Sequence, residues 1–376
     1  MNFPVSHFNS VRSLKRFTSM KLVSLFPFLA LLLTGSGLAP SLSAAEISPA
    51  DPLIRYVGRF DDREVGVRRA AWSASTVAFT VSGGSVAVTL RDKGANLWQV
   101  VIDGQPAAVL TLEAGEKSYP VATALPAGSH LIELVKRTEA GIGTSDFIGL
   151  KIDDTAKLLP TPARTRRIEI IGDSISCGFG NEAASQNDKF TPGTENAWLA
   201  YGAVAARAVN ADYMCIAWSG KKLWPDNTIV EFYDRVLPHS PGPLWDFTRQ
   251  VPDVVVITLG TNDFGKVNPD EAGWVAAYVG FIQRVRTHYP KAVVYCASSP
   301  MMGDFKSERK PRTTIAGYLD KVVAQANAAG GPPVRLIDFA TQKMENGIGA
   351  AWHPSAKTHA IMGEQLAAAL KKDLGW

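Results

Sequence analysis

The chain has 376 residues, 46% of them hydrophobic, with 39 Lys and Arg against 35 Asp and Glu. The surplus of +4 sits in residues 1–45, which hold Arg12, Lys15, Arg16 and Lys21 and no acid, so the remainder carries 35 bases and 35 acids. A basic footprint for nucleic acid is therefore absent, and beyond the N-terminus no apolar run reaches the ~20 residues of a membrane-spanning helix.

Those four bases precede an apolar run at 22–33, followed by the small residues Ser43-Ala44-Ala45. Charge, apolar core and small residues in that order predict a secretory signal peptide over residues 1–45, and with it a secreted or periplasmic protein. The apolar run is too short to cross a hydrocarbon core of about 30 Å. No membrane association is expected once the signal is removed. Residues 46–152 read as all-β: apolar and polar residues alternate or nearly alternate at 86–90, Leu97–Ile102, 109–112 and 130–135. Gly83-Gly84, Asp103-Gly104 and Ala127-Gly128 mark turns between them. Short strands at that spacing predict a β-sandwich of jelly-roll type. Residues 153–166, with Pro160 and Pro162, read as a linker.

Residues 167–376 change character. Apolar β-branched runs at 168–171, 213–217, 254–259, 293–295 and Val334–Ile337 alternate with helical patterns at 198–209, 269–288, 313–329 and 355–374. This α/β alternation predicts a three-layer domain, a parallel sheet with helices on both faces. Its functional loops belong at the carboxyl ends of the strands. The long connection at 220–252 contains Trp224 and Trp245 and several prolines, as ordered functional loops often do. Three cysteines, Cys177, Cys215 and Cys296, are too few for a disulfide framework. They lie in or beside apolar segments and are expected as buried thiols, with oxidation of one pair left open.

Four short segments fall where a parallel sheet presents chemistry: Gly172-Asp173-Ser174, Trp218-Ser219-Gly220, Gly260-Thr261-Asn262-Asp263 and Trp352-His353-Pro354. A Ser at a strand end is by itself more often a helix cap. Four loops on one sheet face, each with a different component, favour catalysis. A serine hydroxyl needs a base to become a nucleophile, and His353 has the suitable side chain for Ser174. Attack on an ester carbonyl creates an oxyanion that needs donors fixed in advance. The N–H groups of Ser174 and Gly220 and the amide of Asn262 are the candidates. Trp224 and Trp352 are candidate sugar-stacking surfaces, against the alternative that they are simply buried. Asp173 reads as a structural hydrogen-bonding residue. The histidines show no zinc-site spacing, and neither metal nor cofactor is expected.

Ser174, Gly220, Asn262 and His353 with their flanking blocks resemble the GDSL/SGNH hydrolase superfamily from about residue 166 onward. The stretches 172–181, 216–220 and 254–263, with Arg55-Tyr56-Val57-Gly58-Arg59-Phe60 upstream, resemble carbohydrate esterase family 2. The resemblance implies an N-terminal jelly roll joined to an SGNH-type esterase domain that removes acetyl groups from xylan, glucomannan or simpler sugars, with a 6-O preference. One superfamily feature is missing. The Asp that precedes the His by two or three residues is replaced by Ala350 and Ala351. The resemblance admits a Ser–His dyad; a main-chain carbonyl of Ala351 or Ala350 is expected to orient His353, with Asp338 as the second choice. The expected partner is an acetylated polysaccharide or oligosaccharide. The alternatives are a peptidoglycan or short-chain ester hydrolase and a non-catalytic carbohydrate-binding protein.

Overall fold

The computed structural model describes residues 45–305 and 307–376. The signal peptide expected at 1–45 lies outside them except for Ala45. These described residues form one compact unit.

The N-terminal part is a sandwich of two six-stranded antiparallel sheets. One runs Phe60–Asp61, Arg68–Ala70, Ser145–Ile152, Gly84–Asp92, Gly115–Leu125, with Ala45–Ile47 also paired to Ser145–Ile152. The other runs Leu158–Leu159, Thr76–Val81, His130–Lys136, Leu97–Ile102, Gln105–Thr111, with Arg55–Val57 also paired to Thr76–Val81. In Gly84–Asp92 every second residue is buried, the two-residue period of a strand with one wet face. Val88, Trp98, Phe79 and Phe147 fill the space between the sheets. The linker reading of 153–166 needs revision. Leu158 and Leu159 pair with Val81 and Thr80, and Ala156 lies in the sandwich core. A stretch too short to show a period, and bordered by prolines, carries no strand signal in the sequence.

The C-terminal part has five parallel strands in the order Ala211–Ala217, Arg166–Gly172, Val254–Thr258, Val293–Ala297, Val334–Ile337. Their residues alternate between two cores. Ile168, Ile170 and Val256 pack with Tyr201, Leu366 and Leu370 of helices Tyr201–Ala208 and Ala356–Leu374. Ile171, Val255 and Ile257 pack with Tyr278, Ile282 and Leu319 of helices Glu271–His288 and Pro311–Ala328. Both sheet faces are covered, which is why these strands are mainly apolar, with charged exceptions such as Glu169 and Arg335. The chain turns to opposite sides of Arg166–Gly172 after its first two strands, and such a reversal opens a crevice at the carboxyl ends of the central strands. Ser174 follows strand Arg166–Gly172; Gly220 and Asn262 follow its two neighbours, Ala211–Ala217 and Val254–Thr258. Topology therefore converges three of the four segments.

The sandwich is fused to this domain. Trp72 and Ala140 belong to the same core as Tyr233 and Tyr278, and Trp72 Nε1 donates to Val236 O at 2.9 Å. Arg59 and Glu169, both fully buried, form an ion pair at 3.5 Å, and Arg59 also donates to the carbonyls of Tyr233 and Arg235.

Candidate active site

Strand Arg166–Gly172 ends in a glycine because a Cβ there would collide with the Ser176 side chain. Asp173 caps the short helix Ser174–Cys177, its Oδ1 accepting from Ile175 N at 3.0 Å. This places Ser174 at the first helical position, where its own N–H has no intrahelical partner. Burial raises the Asp173 carboxyl to about 7. Ser174 is 5% exposed.

Opposite Ser174 stands His353. Its Nε2 lies 2.9 Å from Ser174 Oγ, and its Nδ1 lies 3.1 Å from Ala350 O and 3.2 Å from Ala351 O. A carbonyl only accepts, so Nδ1 carries the proton and Nε2 is left to accept from the serine hydroxyl. The Phe179 ring lies over the imidazole at 4.3 Å, tilted by 37°, and is itself stacked by Phe190 at 4.0 Å. This enclosure pushes the imidazole pKa down, because burial disfavours the cation.

The histidine loop is tied down residue by residue. Ala350 N donates to Gly180 O at 3.0 Å, Ala351 N to Asp188 O at 3.3 Å and Gly349 N to His353 O at 2.8 Å. Gln342 Nε2 donates to Trp352 O at 2.7 Å. Ala351 and Trp352 occupy the left-handed region, with φ of 49° and 66°. Two successive non-glycine residues there cost about 1–2 kcal/mol each, and their persistence marks a conformation imposed by the surrounding bonds. His353 itself is extended, φ −76° and ψ 161°, as the following Pro354 requires.

Trp218 to Lys221 form a turn closed by Lys221 N to Trp218 O at 3.2 Å, with Gly220 in its third position at φ 77°. A type II turn needs a positive φ there, and glycine supplies it without strain. Neither the Gly220 N–H nor the Ser174 N–H donates to any group among the described residues. Asn262 Nδ2 donates to Lys221 O at 2.9 Å and contacts Asp173 Oδ2 at 3.3 Å, joining the turn to the nucleophile loop. For Asn262 to serve as a third oxyanion donor, the longer contact to Asp173 must yield.

The two tryptophans differ. Trp352 is 55% exposed beside His353. Trp224 has its backbone N–H donating to Asp263 Oδ1 at 3.0 Å and its ring seated against Gly273. Trp218 and Trp198 are partly buried against cores. Asp338 is engaged elsewhere, accepting from Ser298 Oγ at 2.7 Å and pairing with Arg312. His359 is buried with its Nδ1 accepting from Tyr201 N at 3.2 Å. All three cysteines are free and buried. Sequence reasoning missed Phe179 as the face of His353. It also missed Glu139, a sandwich residue that forms a buried group with Cys177 and Glu195. Neither has a local pattern that distinguishes it from an ordinary core or turn residue.

Comparison with known proteins matches residues 56–162 to the carbohydrate esterase 2 N-terminal family and residues 170–361 to the GDSL-like lipase/acylhydrolase family. The chain is 38% identical over 333 residues to cellulase/esterase CelE of Acetivibrio thermocellus, covering 87% of this chain and 40% of that protein. It is 30% identical over 366 residues to an acetylxylan esterase/glucomannan deacetylase of Cellvibrio japonicus, covering 92% of this chain and 97% of the relative. A solved family two carbohydrate esterase from Clostridium thermocellum, in complex with cellohexaose, matches with a TM-score of 0.81 at 38% identity, covering 86% of this chain and 99% of that one. The chain belongs to carbohydrate esterase family 2. As a family 2 esterase it is a serine carboxylic-ester hydrolase acting on carbohydrate. Its two parts are the β-rich N-terminal domain of the family and the GDSL-type α/β domain. It spans less than half the length of CelE.

Proposed function

We propose that this family 2 esterase is an exported deacetylase. It removes O-acetyl groups from polysaccharides such as xylan or glucomannan, with 6-O positions preferred, through a Ser174–His353 dyad. The observation that carries the chemistry is the 2.9 Å contact between Ser174 Oγ and His353 Nε2, with carbonyl oxygens as the acceptors at Nδ1. His353 Nε2 takes the hydroxyl proton as Ser174 Oγ attacks the acetyl carbonyl. The tetrahedral oxyanion accepts from the N–H groups of Ser174 and Gly220, aided by Asn262. Collapse breaks the bond to the sugar oxygen, which leaves with the proton from His353. Water, deprotonated by the same nitrogen, then releases acetate and restores Ser174.

The substrate reading is supported by the named activity of the Cellvibrio relatives, acetylxylan esterase/glucomannan deacetylase. The exposed Trp352 offers a sugar ring an aromatic face next to the base. Export is supported by the residues at 1–45. Acetate release from sugars carrying one acetyl group at a defined position tests the assignment: faster release from the 6-O ester than from 2-O or 3-O esters is expected. Equal rates on all positions overturn the positional preference, and absence of release from any of them overturns the substrate class.

A further inference from the structure

Glu139 lies on the sandwich, in the turn that follows strand His130–Lys136, and is 4% exposed. Its Oε2 accepts from Ser219 N at 2.6 Å and from the Cys177 thiol at 3.5 Å. These partners belong to both elements on which the oxyanion site is built. Cys177 ends the helix that Ser174 begins, and Ser219 precedes Gly220 in the turn.

We propose that Glu139 is a positioning residue of the esterase site, one carboxylate that fixes the Ser219 peptide and thereby aims the Gly220 N–H at the developing oxyanion. The inference rests on the dyad and oxyanion reading above. The peptide preceding Ser219 is held by Glu139, and the turn is closed by Lys221 N on Trp218 O, so the Ser219–Gly220 peptide between them has little freedom left. Glu139 is in turn fixed at its own backbone. Its N–H donates to Glu195 Oε2 at 2.8 Å, and its carbonyl accepts from Ile142 N at 3.2 Å. Next to it, a Cβ on Gly141 would lie 2.9 Å from Trp218 Nε1, so the sandwich turn presses directly on the oxyanion turn. Fully buried Lys136, the last residue of the preceding strand, donates to Thr138 O at 2.8 Å and to Glu139 O at 3.4 Å, which ties down the main chain of the turn. The arrangement gives the sandwich a part in catalysis: it holds the turn that carries the Gly220 donor.

The test compares Glu139→Ala, Glu139→Gln and Glu139→Asp in the full chain, reading kcat and KM on an acetate ester, unfolding midpoints, and inhibition by a small alkylboronic acid that adds to serine as a tetrahedral anion. Removing an oxyanion donor costs about 10²–10³ in kcat, so misaiming one should cost Glu139→Ala about 10- to 100-fold in kcat. KM should stay within about threefold and boronate affinity should fall in parallel. Glu139→Gln keeps an acceptor for Ser219 and should retain kcat within about threefold. Glu139→Asp keeps the charge but withdraws the acceptor, and should lose kcat as alanine does. If Glu139→Ala does not fold, the Gln and Asp pair decides. A folded Glu139→Ala with kcat unchanged, or Glu139→Asp more active than Glu139→Gln, overturns the proposal and leaves Glu139 as a partner for buried Lys136. Ser174→Ala is run beside them. Retained activity there refutes the dyad itself, an outcome separate from any result at position 139.

Discussion

The imidazole of His353 donates from Nδ1 to the carbonyl oxygens of Ala350 and Ala351, in the place where the superfamily supplies an aspartate. A carbonyl fixes the tautomer as a carboxylate does but brings no full charge. Where a site evolved around a carboxylate, losing it costs about 10⁴ in turnover. Here the loop is already pinned by Gly180, Asp188 and Gln342, so orientation does not depend on the missing acid. Ala351→Asp, at a left-handed position that Asp tolerates, should therefore change kcat by less than about tenfold in either direction. Asp338→Ala should leave kcat within about threefold, since that carboxylate pairs with Ser298 and Arg312. Turnover of an acetate ester by both variants checks this: a thousandfold gain in the first means the native site is crippled, and a thousandfold loss in the second makes Asp338 the acid.

The proposed dyad requires neutral His353, and burial beneath Phe179 holds its pKa below the ordinary value of about 6.5. The acid limb of kcat/KM should accordingly lie below pH 6.5, with activity present above the limb and lost as pH falls through it. Ala351→Asp places a carboxylate beside the ring, favours the imidazolium and should move the limb upward. A pH–rate profile of each enzyme decides the point. A wild-type limb at or above about pH 7 contradicts the desolvation argument.

Buried His359 sets a second pH dependence, on stability. Burial drops its pKa to about 3, while the unfolded chain titrates near the ordinary histidine value of about 6.5. Between those values the unfolded state binds a proton that the folded state refuses, so stability rises with pH across the window and is lost as pH falls. The slope from this group is about 1.4 kcal/mol per pH unit. His359→Gln, which can still accept from Tyr201 N, should flatten it. Urea midpoints from about pH 4 to 7 provide the check, and an unchanged slope in the variant assigns the acid sensitivity elsewhere.

The sandwich should prove inseparable from the esterase domain. Arg59→Met leaves the Glu169 carboxylate buried without its cation, at a cost of about 3–5 kcal/mol. Trp72→Ala empties a site in the shared core for a similar loss, about 3–5 kcal/mol. Denaturant unfolding of both variants measures these losses. A soluble, folded 165–376 fragment that matches the full chain on acetylated glucomannan contradicts the expectation.

Most of the parallel sheet and, among the described residues, the four helices of eight or more residues are visible in the sequence because each writes a period or a sustained apolar run. Helix Glu271–His288 was expected at 269–288, and strand Val334–Ile337 at its observed bounds. Strands Thr76–Val81, Gly115–Leu125 and Ser145–Ile152 escaped notice. The first is buried on every residue and so loses its alternation; the second is mostly exposed and polar. Ser174, Gly220, Asn262 and His353 were legible as strand-end motifs. Their supports were not. Phe179 on His353, Gly180 O under Ala350 and Glu139 under Ser219 are contacts between segments distant in the chain, and no local composition encodes such a pairing.

The central claim is that Ser174 carries the acetyl group and His353 moves its proton. The direct measurement is rapid quench of enzyme with an acetate ester, followed by mass analysis of the peptide containing residues 173–177. The account predicts one acetyl group on Ser174 in the wild-type enzyme, none in Ser174→Ala, and a fall of at least about 10³ in its formation rate in His353→Ala. An acetyl group on any other residue, or unchanged acetate release by Ser174→Ala, contradicts it.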